Sequence, residues 1–201
     1  ITAIIQSSAA TTVLTVALVN AGFMTLRQAI GVIMGANIGT TLTAFIIGIK
    51  IEEYALPMLA LGAILLFFFK NKRINFSGRI IFGIGSLFLG LETMSEGVRP
   101  LRDLEAFQQI TLSFSEMPIL GVLAGTVLTV IVQSSTATIG ILQQLYAEGA
   151  ITLKAALPVL FGDNIGTTIT AVLASLGSSI NARRAALVHV NFNLLGTIIF
   201  T

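Results

Sequence analysis

Two short polar runs interrupt a chain that is otherwise strongly apolar. Gln6-Ser7-Ser8 lies within the segment 1 to 22, and Gln133-Ser134-Ser135-Thr136 separates the apolar arms 119 to 132 and 137 to 147. Adjacent polar side chains in hydrocarbon, together with main-chain groups bared at a helix break, are costly unless something satisfies them. They must face a partner. A broken helix offers oriented N–H groups and a positive dipole end to an anion, while the preceding carbonyls and the glutamine oxygen suit a small cation. The same logic applies to Gly35 to Thr41 and Gly162 to Thr168, where glycine permits unwinding and threonine hydroxyls donate or accept. Four such interruptions, two in each half, are expected to meet at one centre.

The plainer reading is helix packing, because Ser, Thr and Gly gather wherever membrane helices touch. Gly31, Gly35 and Gly39 are spaced by four, as are Gly162 and Gly166. Packing alone does not require Gln and Asn twice at a matched distance. A gapless shift of 127 lays Gln6-Ser7-Ser8 on Gln133-Ser134-Ser135, Thr25-Leu26 on Thr152-Leu153, and Asn37-Ile38-Gly39-Thr40-Thr41 on Asn164-Ile165-Gly166-Thr167-Thr168. Thr43-Ala44 then falls on Thr170-Ala171. The chain is internally duplicated. Residues 79 to 127 find no counterpart at this shift, so the first copy is expected to be short at its front, with a span and half a hairpin preceding Ile1 in the native polypeptide.

The elements that must position these residues follow from composition. Of 201 residues, 55% are hydrophobic and 10% charged, and mean hydropathy is +0.95, where an average soluble domain has roughly a quarter of its residues charged. The reading is an all-α, polytopic membrane bundle with re-entrant hairpins and unwound helices. The 11 basic residues are too scattered for a nucleic-acid groove, so no nucleic-acid partner is expected. The absence of cysteine excludes disulfides and thiolate chemistry. No Gly-rich loop ends in Lys-Ser or Lys-Thr, which argues against ATP-driven pumping, and no Ser-His-Asp grouping or metal-ligand spacing suggests an enzyme.

Spans are expected over 24 to 49, 54 to 69, 80 to 98, 152 to 176 and 185 to 201, with an amphipathic surface connector between Arg99 and Met117. If the two Gln-Ser-Ser hairpins leave on the side they enter, three spans separate them and the second copy is inverted. The repeats are then 1–78 and 79–201, forming one transmembrane domain. Placing Lys70, Lys72, Arg73 and Arg79 in the cytoplasm puts Arg27, Arg183 and Arg184 there too, with Lys50, Arg99, Arg102 and Lys154 outside, as the positive-inside bias favours. Inverted repeats are a recurrent plan of secondary transporters.

Gln-Ser-Ser followed about thirty residues later by Gly-x-Asn-Ile-Gly-Thr-Thr, twice, resembles the type II sodium-dependent phosphate cotransporter family and its bacterial branch. Leu26-Arg27-Gln28-Ala29-Ile30, Gly90-Leu91-Glu92 and Arg99-Pro100-Leu101-Arg102-Asp103 share that resemblance. It implies a phosphate/Na⁺ symporter of the plasma (inner) membrane, with Na⁺ as coupling ion, no other cofactor and a homodimer as one open assembly. Gln6, Ser7, Ser8, Gln133, Ser134, Ser135 and Thr136 are the expected phosphate-facing residues. Asn37, Thr40, Thr41, Asp163, Asn164, Thr167, Thr168 and Asn193 are expected around the centre, with Na⁺ favoured where amides and carbonyls cluster. The role of Asn193 is implied by the resemblance, which places an Asn at a Na⁺ site in the helix after the unwound segment. A phosphate-sensing or scaffold module, or a carrier of another small anion, is the alternative.

Three positions stand apart. The family's usual third serine is Ala9 in one copy and Thr136 in the other, so Ala9 can contribute only main chain. Asp163 replaces the small residue found at the equivalent Ala36, and a charge at membrane depth must sit with a cation or a proton; a Na⁺-associated or structural carboxylate is favoured over a proton carrier. His189 is expected to be a satisfied core residue, and Glu92 to pair helices.

Overall fold

The computed structural model describes residues 1–49 and 51–201; Lys50, which the topology reading places outside, lies beyond the described residues. Eleven α-helices follow one another, with no strand among the described residues. They are α1 (Thr2–Ile5), α2 (Ser8–Asn20), α3 (Leu26–Ile47), α4 (Ala55–Phe68), α5 (Lys72–Val98), α6 (Glu105–Glu116), α7 (Pro118–Val132), α8 (Ser135–Ala147), α9 (Leu153–Thr167), α10 (Ile169–Ser175) and α11 (Ile180–Phe200). Three are long and apolar enough to cross a membrane: α3, the stretch from Lys72 to Asp103 that contains α5, and α9 with α10. Large apolar side chains such as Phe67, Ile131 and Ile199 are more than 70% exposed, the surface expected of a lipid-facing bundle.

Helix ends come from capping chemistry, and the capping repeats. Thr25 starts α3 with a capping box, its hydroxyl accepting from the Gln28 amide and Gln28 bonding back to the Thr25 N–H; Thr152 caps α9 through the Ala155 N–H. Gly22 and Gly149, at φ 77° and 72°, turn the chain before each of these caps. Several boundaries differ from the sequence reading. α5 begins at Lys72, not 80, because Asn71 caps it through the Arg73 N–H and long basic stems lie along a helix without disrupting it. α11 starts at Ile180 under a Ser179 cap and is 21 residues long, yet its polar residues keep it outside the apolar spans. α4 has 14 residues, about 21 Å at ~1.5 Å per residue, so it does not cross a ~30 Å core alone.

Small residues set the packing. α2, α3, α10 and α11 enclose Val16, Val19, Ala29, Ile33, Ala171, Ala182, Ala185 and Ala186. α7 and α9 cross so closely that a Cβ on Gly125 would meet the Val159 carbonyl and one on Gly162 the Val122 carbonyl. α4 and α5 form a hairpin of the same kind, Gly62 lying against Phe82 and Gly85 against Leu59. α6 meets α7 at a 115° bend beside Met117.

The α4–α5 hairpin touches α8 through one polar cluster. Glu148, just past α8, accepts from the Ser95 hydroxyl at 2.6 Å and pairs with Arg99 at 3.4 Å. The Arg99 side chain is 74% exposed, so Arg99→Gln is expected to change stability by less than about 1 kcal/mol. Glu148→Ala is expected to do more, since it also strips Ser95 of its acceptor. Thermal melts in detergent check this ordering. Glu92, one turn before Ser95, is exposed and takes no part in the cluster.

Candidate functional site

Each Gln-Ser-Ser run forms the same broken-helix tip. Gln6 ends α1 at φ 58°, ψ 28°, and Gln133 ends α7 at φ 58°, ψ 23°. They are the two non-glycine residues at positive φ among the described residues, a conformation that costs on the order of 1–2 kcal/mol. Glutamine offsets part of this where glycine cannot. Its amide nitrogen donates back to the last turn of its own helix, Gln6 to the Ala3 carbonyl at 2.5 Å and Gln133 to the Val130 carbonyl at 2.6 Å.

The next residue reverses the chain and starts the following helix. Ser7 (φ −145°) and Ser134 (φ −146°) are extended, and their hydroxyls accept from the Ala10 and Ala137 N–H groups. The first two N–H groups of α2, on Ser8 and Ala9, and of α8, on Ser135 and Thr136, then lie ahead of any intrahelical acceptor. Ser8, Ala9, Ser135 and Thr136 all line one cavity. Ala9 thus retains its main-chain donor while lacking the hydroxyl of Thr136.

That cavity holds both tips, with Gln6, Ser7, Gln133 and Ser134 on its wall beside Thr40 of α3 and Thr167 of α9. Its volume is about 60 Å³. A water needs roughly 10–15 Å³ and an organic ligand about 300 Å³ or more, so the space is the size of a small ion. Every lining side chain is neutral. Hydroxyls, amides and two positive helix ends are the chemistry that suits a small oxyanion.

The second group of expected residues divides. Asn37 donates to Asn193 Oδ1 at 2.8 Å, and these two join Thr41 and Asn164 around a neighbouring cavity of about 300 Å³ walled also by Phe161 and Phe192. These four do not line the cavity between the tips. Thr168 lines neither; its hydroxyl is turned onto the Ile165 carbonyl at 2.7 Å. Asp163 is fully buried, with Oδ1 accepting from Thr129 at 2.7 Å and Oδ2 without a partner.

The expected unwinding at Asn37 to Thr41 is absent. α3 runs unbroken from Leu26 to Ile47, and in the second copy the helix is interrupted at Thr168 alone. The glycines serve approach instead: a Cβ on Gly39 would lie 2.7 Å from Thr2 Cβ, and one on Gly166 2.7 Å from the Thr126 carbonyl. Thr40 and Thr41 bond to carbonyls of their own helix, as Thr167 and Thr168 do in the second copy. Two matched pairs escaped the sequence reading as site residues, Thr2 with Thr129 and Thr43 with Thr170, all four on the cavity wall. Their separation by the same 127 residues was the available signal. His189 is buried as expected but not satisfied, since neither ring nitrogen has a partner.

The model of the Na⁺/Pi-cotransporter family matches the chain twice, over residues 1–96 and 92–201. The chain belongs to the Na⁺/Pi-cotransporter family. Among similar proteins, YqeW of Bacillus subtilis (strain 168) is 35% identical over 97% of this chain and 63% of its own length. YjbB of Escherichia coli (strain K12), named for inorganic phosphate export, is 31% identical over 99% of this chain and 37% of its own. Human sodium-dependent phosphate transport protein 2B is 44% identical over 85 residues, 40% of this chain and 12% of its own. The chain therefore spans under two thirds of the length of these relatives. No solved structure matches it. The double family match falls on the two halves that carry the two tips.

Proposed function

We propose that this member of the Na⁺/Pi-cotransporter family moves inorganic phosphate across the plasma (inner) membrane by alternating access, coupled to Na⁺. One observation carries the reading: two geometrically equivalent helix breaks direct their free N–H groups and hydroxyls into one ion-sized cavity without a charged side chain. Gln6, Ser7, Ser8, Gln133, Ser134, Ser135 and Thr136 hold the phosphate, Ala9 adding its main chain. The copies 1–78 and 79–201 are read as inverted, so that rocking about the shared cavity exposes it to either side.

The neutral wall supports cation coupling. Phosphate in a low-dielectric cavity lined by dipoles alone keeps its charge uncompensated, and moving each negative charge into an inside-negative cell costs about 2.3 kcal/mol per 100 mV. A co-bound Na⁺ lowers both penalties. The Asn37, Asn164 and Asn193 amides and Thr41 line a neutral cavity whose polar groups suit a weakly held ion that must be released, and Thr40 and Thr167, on the helices that carry Asn37 and Asn164, line the cavity between the tips.

Phosphate uptake by the chain in proteoliposomes under an inward Na⁺ gradient tests the reading. The expected result is accumulation of labelled phosphate above equilibrium, collapsed by a Na⁺ ionophore. Binding without accumulation would make the chain a sensing or scaffold module. Preferential accumulation of sulfate or a carboxylate would replace the substrate.

A further inference from the structure

The 127-residue shift that pairs the two tips also pairs two helix faces, and these do not match. On one, Val16 and Val19 of α2, Ile33 of α3 and Ala171 of α10 are buried in a single core. Their equivalents are Gln143 and Tyr146 of α8, Leu160 of α9 and Ala44 of α3, and all four line an open cavity of about 310 Å³. Val19 is 6% exposed and Tyr146 54%. Thr40 lines both this cavity and the one between the tips, so the two adjoin. One face gives access to the ion-sized space, and the equivalent face is packed shut.

The cause lies in where the helices break. α9 stops at Thr167 and α10 restarts at Ile169, which lays Ala171 against α2. α3 runs unbroken through Thr41, the equivalent of Thr168, and leaves Ala44 apart from α8. Gln143 spans that gap, its Nε2 donating to the Ala44 carbonyl at 3.0 Å. The equivalent Val16 has no group that could make such a bond. The shut face carries a different tie: the Ser179 N–H, at the start of α11, donates to Asn20 Oδ1, at the end of α2, at 2.7 Å. Ala147 stands at the position equivalent to Asn20 and offers no side-chain acceptor. Each face thus has one polar tie that the other lacks.

We propose that Asn20 and Gln143 are positioning residues that set which of two gates stands open, Asn20 latching the α2–α10 face shut and Gln143 propping the α3–α8 face apart. The proposal rests on the reading of the copies as inverted about the shared cavity, since only then do the two gates face opposite sides of the membrane. Opening one gate requires closing the other, so both ties favour the same member of a two-state equilibrium. Each tie is a single hydrogen bond. A carrier that must cycle needs a bias of that modest size, because a larger one would trap it in one state.

The chain has no cysteine, so single cysteines report on each face without background. The probe is a charged, water-soluble maleimide applied to the purified full chain in detergent, and the readout is the modification rate. Tyr146→Cys is expected to react at least about tenfold faster than Val19→Cys. Adding Asn20→Ala is expected to speed Val19→Cys about fivefold, the effect of losing one hydrogen bond, while Asn20→Asp keeps the acceptor and leaves the rate unchanged. Gln143→Val, on the other face, is expected to speed Val19→Cys by a similar factor and to slow Tyr146→Cys; Gln143→Leu replaces it should the valine variant aggregate. A purely local loosening would not cross from one face to the other. An unchanged Val19→Cys rate with the Gln143 variant, or Asn20→Asp behaving as Asn20→Ala, would overturn the proposal. Coupled rates in a chain that accumulates no phosphate in proteoliposomes would instead overturn the transport reading and leave the two gates standing.

Discussion

Gln133→Gly is expected to lower Na⁺-driven phosphate uptake at least about tenfold while the bundle stays folded, because a charged ligand loses polar contacts worth at least ~1.4 kcal/mol. Glycine is the informative replacement, since it adopts φ 58° freely and removes only the side chain. That side chain closes the end of α7 on the Val130 carbonyl and stands on the cavity wall. Alanine would remove the same groups and add the strain of a left-handed residue, mixing two causes. Uptake by reconstituted vesicles, with elution on gel filtration as the control for folding, measures the effect. Full activity would show that the tip needs its backbone shape alone.

Gly162→Ala has the largest expected effect on stability. The new Cβ would overlap the Val122 carbonyl and lie 2.8 Å from the Thr126 nitrogen, so α7 must move off α9. Backbone atoms cannot rotate out of the way as a side chain can. Overpacking of this kind costs about 1–3 kcal/mol and occasionally more, and the shift would carry the second tip away from the first. Gly196→Ala, in open space on α11, is the matched control and is expected to be nearly neutral. Comparing the thermal midpoints of the two variants in detergent checks this, and equal midpoints would show the α7–α9 contact to be loose.

The tips were legible because Gln, Ser and Thr stand out against an apolar background and recur at one fixed shift; their φ angles agree between copies within the same degree. The Asn-Ile-Gly-Thr-Thr runs were legible as a pair but not in conformation. Glycine signals either unwinding or close approach, and the choice depends on what lies opposite, here Thr2 against Gly39 and Thr126 against Gly166. The separation of Asn37, Asn164 and Asn193 from the tip cavity was likewise hidden, because it depends on which helix face each residue takes in the assembled bundle. Helix ends were read too short at Lys72 and Ile180, since an all-round apolar helix has no periodic stripe and the charges there lie on the helix itself.

The central claim is that the two breaks face each other across one ion-sized space. An experimental density map of the chain with and without phosphate tests it most directly. The expected result is a compact tetrahedral difference peak between Ser7-Ser8 and Ser134-Ser135, in contact with both helix starts. A peak at one tip with the other turned to lipid, or phosphate bound only outside this cavity, would contradict it.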